Sequence, residues 1–405
     1  MTLENQTIFI LGATKYDSIY ESTSFTTAKF LAKTNFVYYI DFPFTHKDFF
    51  NSDLKEVIEK RKPYFSDKSD NIISELNYGL KIIVLPLLFS INFLPEGAFY
   101  RFLLDINEKL IKKRLDKIIS QHDLKDIIFI NSFNFHYPNI GKLIKAKLSV
   151  YHCVDPLIIG YDKKHGVISE QIVAKSSDLV ICTSFKLYKE KKQVNENTFF
   201  IPNAADLKFS SLALDPKLSI SSIFSGISRP IIGYFGNIER RMDFALLKDV
   251  VRANSDKSFV FIGPVTEEFM PSDFRTIPNV FLMGSVPYAE MPSVIKGFDI
   301  AIIPFKKDDV SETIFPLKLF EYLGSGKPVI ATDFNLDLVD FTKDTVRYCG
   351  NEKTFTNAIN YFLTNDDEEL KLARLAIAAE NTWDKRLTEL SELISRYFST
   401  KNPGK

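Results

Sequence analysis

The 405-residue chain has only three cysteines and one tryptophan. Cys153, Cys182 and Cys349 form no CxxC pair and are odd in number. This excludes a disulfide framework and points to a reducing compartment. Net charge is missing too: 51 Lys+Arg face 51 Asp+Glu, so composition carries no electrostatic footprint for nucleic acid. No apolar run approaches the roughly 20 residues that span a bilayer. The longest, IIVLPLLFSINFL (82–94), is interrupted by Pro86. It reads as a buried strand plus loop, with an interfacial or lipid-acceptor surface as the alternative. The start, MTLENQTIFILGATKYD, has no basic segment ahead of a long apolar one, so it is expected to be a first strand and not a leader. There is no HExxH, Cys/His cluster or DxD; Asp308-Asp309 reads as a solvated loop pair. No metal and no cofactor are expected.

What is present is patterned. Hydrophobic residues make up 45% and charged residues 25%, as in ordinary globular proteins. Apolar strand-like runs at 7–12, 36–42, 81–89, 126–133, 148–155, 178–184 and 198–203 alternate with helical stretches such as 24–34 and 106–119. Near-continuous apolar strands between helices predict a parallel sheet covered on both faces. The stretch DPKLSISSIFSGISRP (215–230) is rich in Ser, Gly and Pro and reads as a linker. A second series follows at 231–236, 258–263, 280–285, 299–305, 327–333 and 345–350, then a helical tail at 366–398. The fold class is α/β, with two doubly wound Rossmann-like domains whose ligands are expected at strand carboxyl ends in a cleft.

Two clusters carry chemistry. In Gly233-Tyr234-Phe235-Gly236-Asn237-Ile238-Glu239-Arg240-Arg241 a buried strand ends at Gly236, where backbone N–H groups can approach a phosphate. Arg240 and Arg241 would add charge-assisted contacts; a plain surface turn is the other reading. In SETIFPLKLFEYLGSGKPVI (311–330) a helix is expected to begin near Pro316, a favoured first-turn residue. Lys318 then lies in the first turns, and Glu321 shares its face. A lysine for phosphate and a glutamate for ribose hydroxyls would make a nucleotide-diphosphate site. An i,i+3 salt bridge is the competing reading.

FPLKLFEYLGSGKPVIAT resembles the donor-binding segment of retaining GT-B glycosyltransferases related to glycosyltransferase family 4. CTSFKLYKEKKQVNENTFFIPNAAD, PIIGYFGNIERRMDF and NVFLMGSVPYAEMPSVIKGFDIAIIPF resemble further family segments in the same order, covering about 178–332. The subgroup most similar is that of teichuronic acid and related surface-polysaccharide transferases. The resemblance implies a GT-B fold: an acceptor-binding domain over 1–205, a donor-binding domain over 206–380, and a C-terminal helix over 381–405 returning to the first. The two domains would face each other across the cleft. Gly12, Gly236 and Asn237 would line the phosphate turns; Arg240 or Arg241, with Lys318, would neutralise the diphosphate; Glu321 would bind the ribose. Backbone at Ser285 and Val286 would meet the base, and the loop of Thr313, Ile314 and Pro316 the donor. Two positions depart from the pattern. Thr313 stands where the family often has an acid, and Ala204 replaces the glycine of a P-N-G-V-D motif.

In the first half, SVYHCVDPL puts His152 and Asp155 at a strand end. Asp155 is the choice for the reacting centre, where a carboxylate would orient the acceptor hydroxyl or stabilise an oxocarbenium-like species. His152 is the alternative, and His136 a further candidate. Lys109, Lys112, Lys113, Arg114 and Lys117 suggest a basic helix face, and Lys186, Lys189, Lys191 and Lys192 another. Either is a solvated surface or a contact to acidic lipid. The expected activity is metal-independent, hexosyltransferase-type transfer with retention, from a nucleotide-sugar donor to a glycan or lipid-linked saccharide. The expected setting is polysaccharide, capsule or lipopolysaccharide biosynthesis, at a cytoplasmic location with peripheral membrane contact. The alternatives are a nucleotide-sugar epimerase or hydrolase of the same fold, and a catalytically silent glycan-assembly partner.

Overall fold

The computed structural model describes residues 2–18, 22–75, 79–158 and 160–401. The chain forms two compact units, Met1–Pro202 with Leu387–Lys405, and Asn203–Arg386.

The first unit is built on an eight-stranded sheet. Its strands are β1 (Thr7–Gly12), β2 (Phe36–Ile40), β3 (Ile72–Glu75), β4 (Leu80–Ile83), β5 (Ile128–Ser132), β6 (Leu148–Cys153), β7 (Leu179–Cys182) and β8 (Thr198–Phe200), in spatial order β3-β4-β2-β1-β5-β6-β7-β8. All pairs are parallel except β3 with β4. The interior strands are buried along nearly their whole length, which is why they read as unbroken apolar runs. The helices are α1 (Thr23–Leu31), α2 (Lys55–Phe65), α3 (Ala98–Gln121), α4 (Ile140–Leu143), α5 (Gly160–Ser176) and α6 (Phe185–Lys192). The Ser22 and Ser184 side chains cap α1 and α6 by accepting from the third N–H of each helix, the usual remedy for unpaired first-turn donors.

The second unit repeats the plan with β9 (Ile231–Phe235), β10 (Ser258–Ile262), β11 (Val280–Leu282), β12 (Ile300–Ile303), β13 (Val329–Thr332) and β14 (Val346–Cys349). All pairs are parallel, in the order β11-β10-β9-β12-β13-β14. This is the doubly wound order whose direction reverses between the first and fourth strands. The helices are α7 (Leu207–Ser210), α8 (Phe244–Ala253), α9 (Met291–Gly297), α10 (Leu317–Gly324), α11 (Leu338–Thr342), α12 (Glu352–Asn365) and α13 (Glu368–Glu380). A last helix, α14 (Trp383–Thr400), starts in this unit and continues from Leu387 in the first. There its Ser391 hydroxyl accepts from the Leu3 N–H at 2.8 Å.

Two readings of the sequence change. The 215–230 stretch is not a linker. Phe224 is buried with its ring against Phe298, Ser221 donates to the Ser293 carbonyl, and the Asp215 carbonyl accepts from Lys296. Its Ser and Gly serve turns that wrap α9, and the chain passes between units at Pro202–Asn203. The basic runs are also not free faces. Lys109 pairs with Asp105, Lys112 with Asp116 and Lys113 with Asp67. Arg114 is buried against the Tyr64, Phe65 and Val84 carbonyls. Lys191 pairs with Glu170, and Lys192 bonds the Glu196 carbonyl.

Candidate functional site

Ligands of doubly wound sheets bind beyond the strand carboxyl ends where the strand order reverses. In the second unit that point lies between β9 and β12, and the loops leaving them are 236–243 and 304–316. They are stitched together: Asp243 N–H donates to the Pro304 carbonyl at 2.8 Å and Lys306 N–H to the Arg241 carbonyl at 2.7 Å. The residues singled out from the two sequence clusters therefore meet at one edge.

Gly236 takes φ +140°, a left-handed value that favours glycine. A Cβ there would lie 2.4 Å from Lys318 Nζ, so the lysine tip occupies the space a side chain would fill. Gly263, leaving β10 at φ +147°, backs onto the same turn; a Cβ on it would lie 2.0 Å from the Gly236 carbonyl oxygen. Both glycines are needed for close backbone approach, and Gly263 was not foreseen.

Lys318 arrives from the first turn of α10, whose N-cap is Pro316 and whose first residue is Leu317. Leu319, Phe320, Tyr322 and Leu323 bury the helix face. Gly326, at φ +72°, follows its end, where its carbonyl accepts from Arg374 at 3.1 and 2.9 Å. The Lys318 ammonium donates to the Tyr234 hydroxyl at 2.6 Å and sits 4.0 Å from that ring's centroid. The Tyr234 hydroxyl in turn donates to the Asn237 carbonyl at 2.9 Å. Desolvation first, and the nearby Arg241 second, pull the Lys318 pKa down from 10.5 to about 7. Arg241 lies over Phe305 at 5.6 Å, and Lys318 is 5.4 Å from the same ring, so two cations share one aromatic floor. Glu239 pairs closely with Arg241 and more loosely, at 4.0 Å, with Arg240. Asn237 is exposed, while Arg240 and Arg241 are half-buried.

Glu321 accepts from the Tyr288 hydroxyl at 2.9 Å. Burial raises its pKa, and that hydrogen bond and the Lys318 charge hold the rise back. Tyr288 is 52% exposed and stacks on Phe209 at 5.1 Å. The same loop, following β11, presents Ser285 exposed and Val286 half-buried. The Thr313 hydroxyl donates to the Val310 carbonyl at 2.6 Å, and Ile314 is held by Ser311 and Asn335. Tyr234, Tyr288, Phe305 and Phe209 were missed by sequence reasoning. Each reaches the site from a separate element, and only a uniform richness in aromatics was visible.

The first-unit candidates do not gather in this way. Gly12 ends β1, next to the reversal point of that sheet, with Tyr39 against it and its carbonyl accepting from Asn134 at 2.9 Å. His152 lies within β6, 3% exposed, with Nδ1 lacking a protein partner. Burial lowers its pKa to about 4, so the ring is neutral. Asp155 is exposed beyond the strand. His136 is half-buried beside Phe135, and desolvation lowers its pKa.

Comparison with known proteins bears on the family and the fold. Residues 229–365 match the family described as glycosyl transferases group 1. A Bacillus subtilis protein named as a teichuronic acid biosynthesis glycosyltransferase, TuaH, is 28% identical over 214 residues, 49% of this chain. The matched region spans about half, 53%, of that relative's length. Trehalose 6-phosphate synthase of Burkholderia multivorans superposes with a TM-score of 0.67 at 8% identity, covering 99% of both chains. Sucrose-phosphate synthase of Thermosynechococcus elongatus gives 0.64 at 12%, covering 98% of this chain and 100% of its own. Anabaena HepE, solved with UDP and glucose, gives 0.59 at 14%, covering 96% and 100%. At these identities the structural likeness speaks for the fold, and the fold is GT-B. The resemblance expected from the sequence, to GT-B transferases and teichuronic acid transferases in particular, is borne out.

Proposed function

We propose that this chain transfers a sugar from a nucleotide-diphosphate donor to a hydroxyl of a glycan or lipid-linked saccharide in bacterial surface-polysaccharide synthesis, with retention at the anomeric carbon. One observation carries the donor half: the Lys318 ammonium fills the side-chain space of Gly236, beside Arg241, where the second sheet reverses direction. Two cations and a glycine turn suit a diphosphate, whose charge grows as the bond to the sugar breaks. Side chains, not a metal, neutralise that charge in this reading. Glu321 binds the ribose, with Tyr288 holding its carboxylate in place. Asp155 orients the acceptor hydroxyl. The TuaH name and the UDP in HepE favour a sugar nucleotide and a surface glycan.

The test is calorimetry of wild type, Lys318→Ala and Glu321→Ala with UDP, GDP, ADP, CDP and dTDP. Selective binding weakened by both changes supports the site and names the base; no binding to any sinks it. Transfer that persists in EDTA separates side-chain from metal assistance. Sugar release without acceptor would favour a hydrolase instead.

A further inference from the structure

Many lysines of this chain pair with carboxylates, as Lys191 does with Glu170 and Lys307 with Asp333. Lys318 is held differently. Its ammonium donates to a neutral phenol, lies over the Tyr234 and Phe305 rings, and is repelled by Arg241. Desolvation is the largest cause of its lowered pKa, and Glu321 and Glu239 offset only part of the fall to about 7. About half of the Lys318 side chains are therefore free amines at pH 7, against roughly four in ten thousand for an ordinary lysine. The free amine is the nucleophilic form.

A free amine alone does not make a site, and the same domain holds the contrast. Desolvation also lowers the pKa of Lys327, to about 8. Its Nζ, however, is bonded to the Lys296 and Phe298 carbonyls at 3.0 and 2.7 Å. Lys318 is half-buried and stands where an anion fits. Its Nζ takes the side-chain space of Gly236, at the turn beside the sheet reversal. The Arg241 guanidinium lies over the same Phe305 ring. A phosphate held by Arg241 at this turn lies next to the amine.

We propose, resting on the diphosphate reading of this turn, that Lys318 is a covalent modification site for acyl phosphates and that its acylation switches off donor binding. In an acyl phosphate the carbonyl carbon is one oxygen away from phosphorus. Holding the phosphate therefore brings that carbon to Nζ, and proximity raises the rate. The free amine attacks the carbonyl carbon, and the C–O bond to phosphate breaks. An amide forms, and the departing phosphate takes the amine proton. No further reactant is needed. An acyl thioester of coenzyme A fits poorly, because the whole pantetheine arm separates its diphosphate from its carbonyl. The amide is uncharged, so one of two cations facing the donor is lost, and the acyl group fills the space at Gly236.

The experiment treats the full wild-type chain with acetyl phosphate and follows each lysine by peptide mass spectrometry. At about pH 7.5 the free-amine fractions of Lys318 and Lys327 differ by only about threefold. Lys318 should react about 30-fold faster than Lys327 or more, the excess coming from the bound phosphate. Inorganic pyrophosphate should slow Lys318 and spare Lys327. With acetyl coenzyme A the ratio should drop to about threefold or below. Acylated protein and Lys318→Gln should both bind nucleoside diphosphate roughly 10- to 100-fold more weakly. Lys318→Arg should keep its binding after treatment. The rates are read on wild type, so the site is tested even where a variant misfolds. A Lys318 rate within threefold of Lys327, no protection by pyrophosphate, or unchanged nucleotide binding after acylation would each overturn the proposal. Untreated wild type that binds none of the nucleoside diphosphates sinks the donor reading instead, and this shows separately, because the acylation rates and pyrophosphate protection are read without nucleotide.

Discussion

The Lys318 ammonium donates to the hydroxyl of Tyr234, 2.6 Å away, and that hydroxyl donates in turn to the Asn237 carbonyl at 2.9 Å. One buried phenol thereby sets both the cation and the turn it serves. Tyr234→Phe keeps the ring under the ammonium but removes the relay. Its loss should weaken nucleotide-diphosphate binding about tenfold, in the range of a hydrogen bond to a charged group. Lys318→Ala should cost more, and the double change little beyond Lys318→Ala alone, because the residues act as a unit. Calorimetry on the four proteins closes the cycle.

Donor binding should depend on pH through Lys318. With a pKa near 7, the free protein carries the ammonium below that value and loses it above. A bound diphosphate favours the charged form, so the pKa rises in the complex. Affinity should then be highest near and just below pH 7 and fall as pH increases, by up to about tenfold per unit. Lys318→Arg, with a guanidinium charged throughout, should flatten the profile. A wild-type affinity that stays level from pH 7 to pH 9 would sink the assignment.

Gly236→Ala should displace the lysine. Its Cβ would meet Nζ at 2.4 Å, and φ +140° strains any L side chain. Because a lysine tip can swing away, the folded state should survive with a small drop in melting temperature. Nucleotide-diphosphate affinity should fall by roughly 10- to 100-fold.

On the proposed reading, changes at Glu321 and Tyr288 should affect ribose recognition and spare phosphate recognition. Glu321→Gln should weaken nucleoside diphosphates while leaving inorganic pyrophosphate nearly unaffected. Tyr288→Phe should have a smaller effect in the same direction, about two- to tenfold, since it removes one hydrogen bond to the carboxylate. Competition between pyrophosphate and a nucleoside diphosphate reads both.

Stability of the first unit should depend on Arg61. Its side chain is wholly buried and pairs with Asp41 at 2.5 Å and Asp17 at 2.7 Å. Arg61→Ala strands the Asp41 carboxylate inside the protein, which should cost about 3–5 kcal/mol. Urea denaturation is the measurement.

Parallel interior strands were readable in the sequence because both faces are covered and nearly every residue is apolar, as in SFVFI of β10. The antiparallel edge strand β3, IISE, went unseen: it is short, and its pairing follows from β4 and not from its own pattern. Lys318, Glu321 and Gly236 were legible because one helix start and one strand end carry them. Tyr234 and Tyr288 were not, since their meanings depend on partners 84 and 33 residues away. The Lys113–Asp67 pairing was hidden for the same reason. Lys109–Asp105 and Lys112–Asp116, by contrast, stood at i,i+4 spacing and were open to view.

The second unit is an insertion in the first, and its two ends touch. The Ala205 N–H donates to the Asn381 carbonyl at 3.2 Å, and the Trp383 N–H to the Ala205 carbonyl at 3.4 Å. Outgoing and returning chain are thus sewn side by side by a single β-bridge at Ala205 and Thr382. A cut at that seam takes out the second unit as one cassette. On the proposed reading, exchange between relatives at this junction changes the sugar nucleotide and leaves the sheet of the first unit in place.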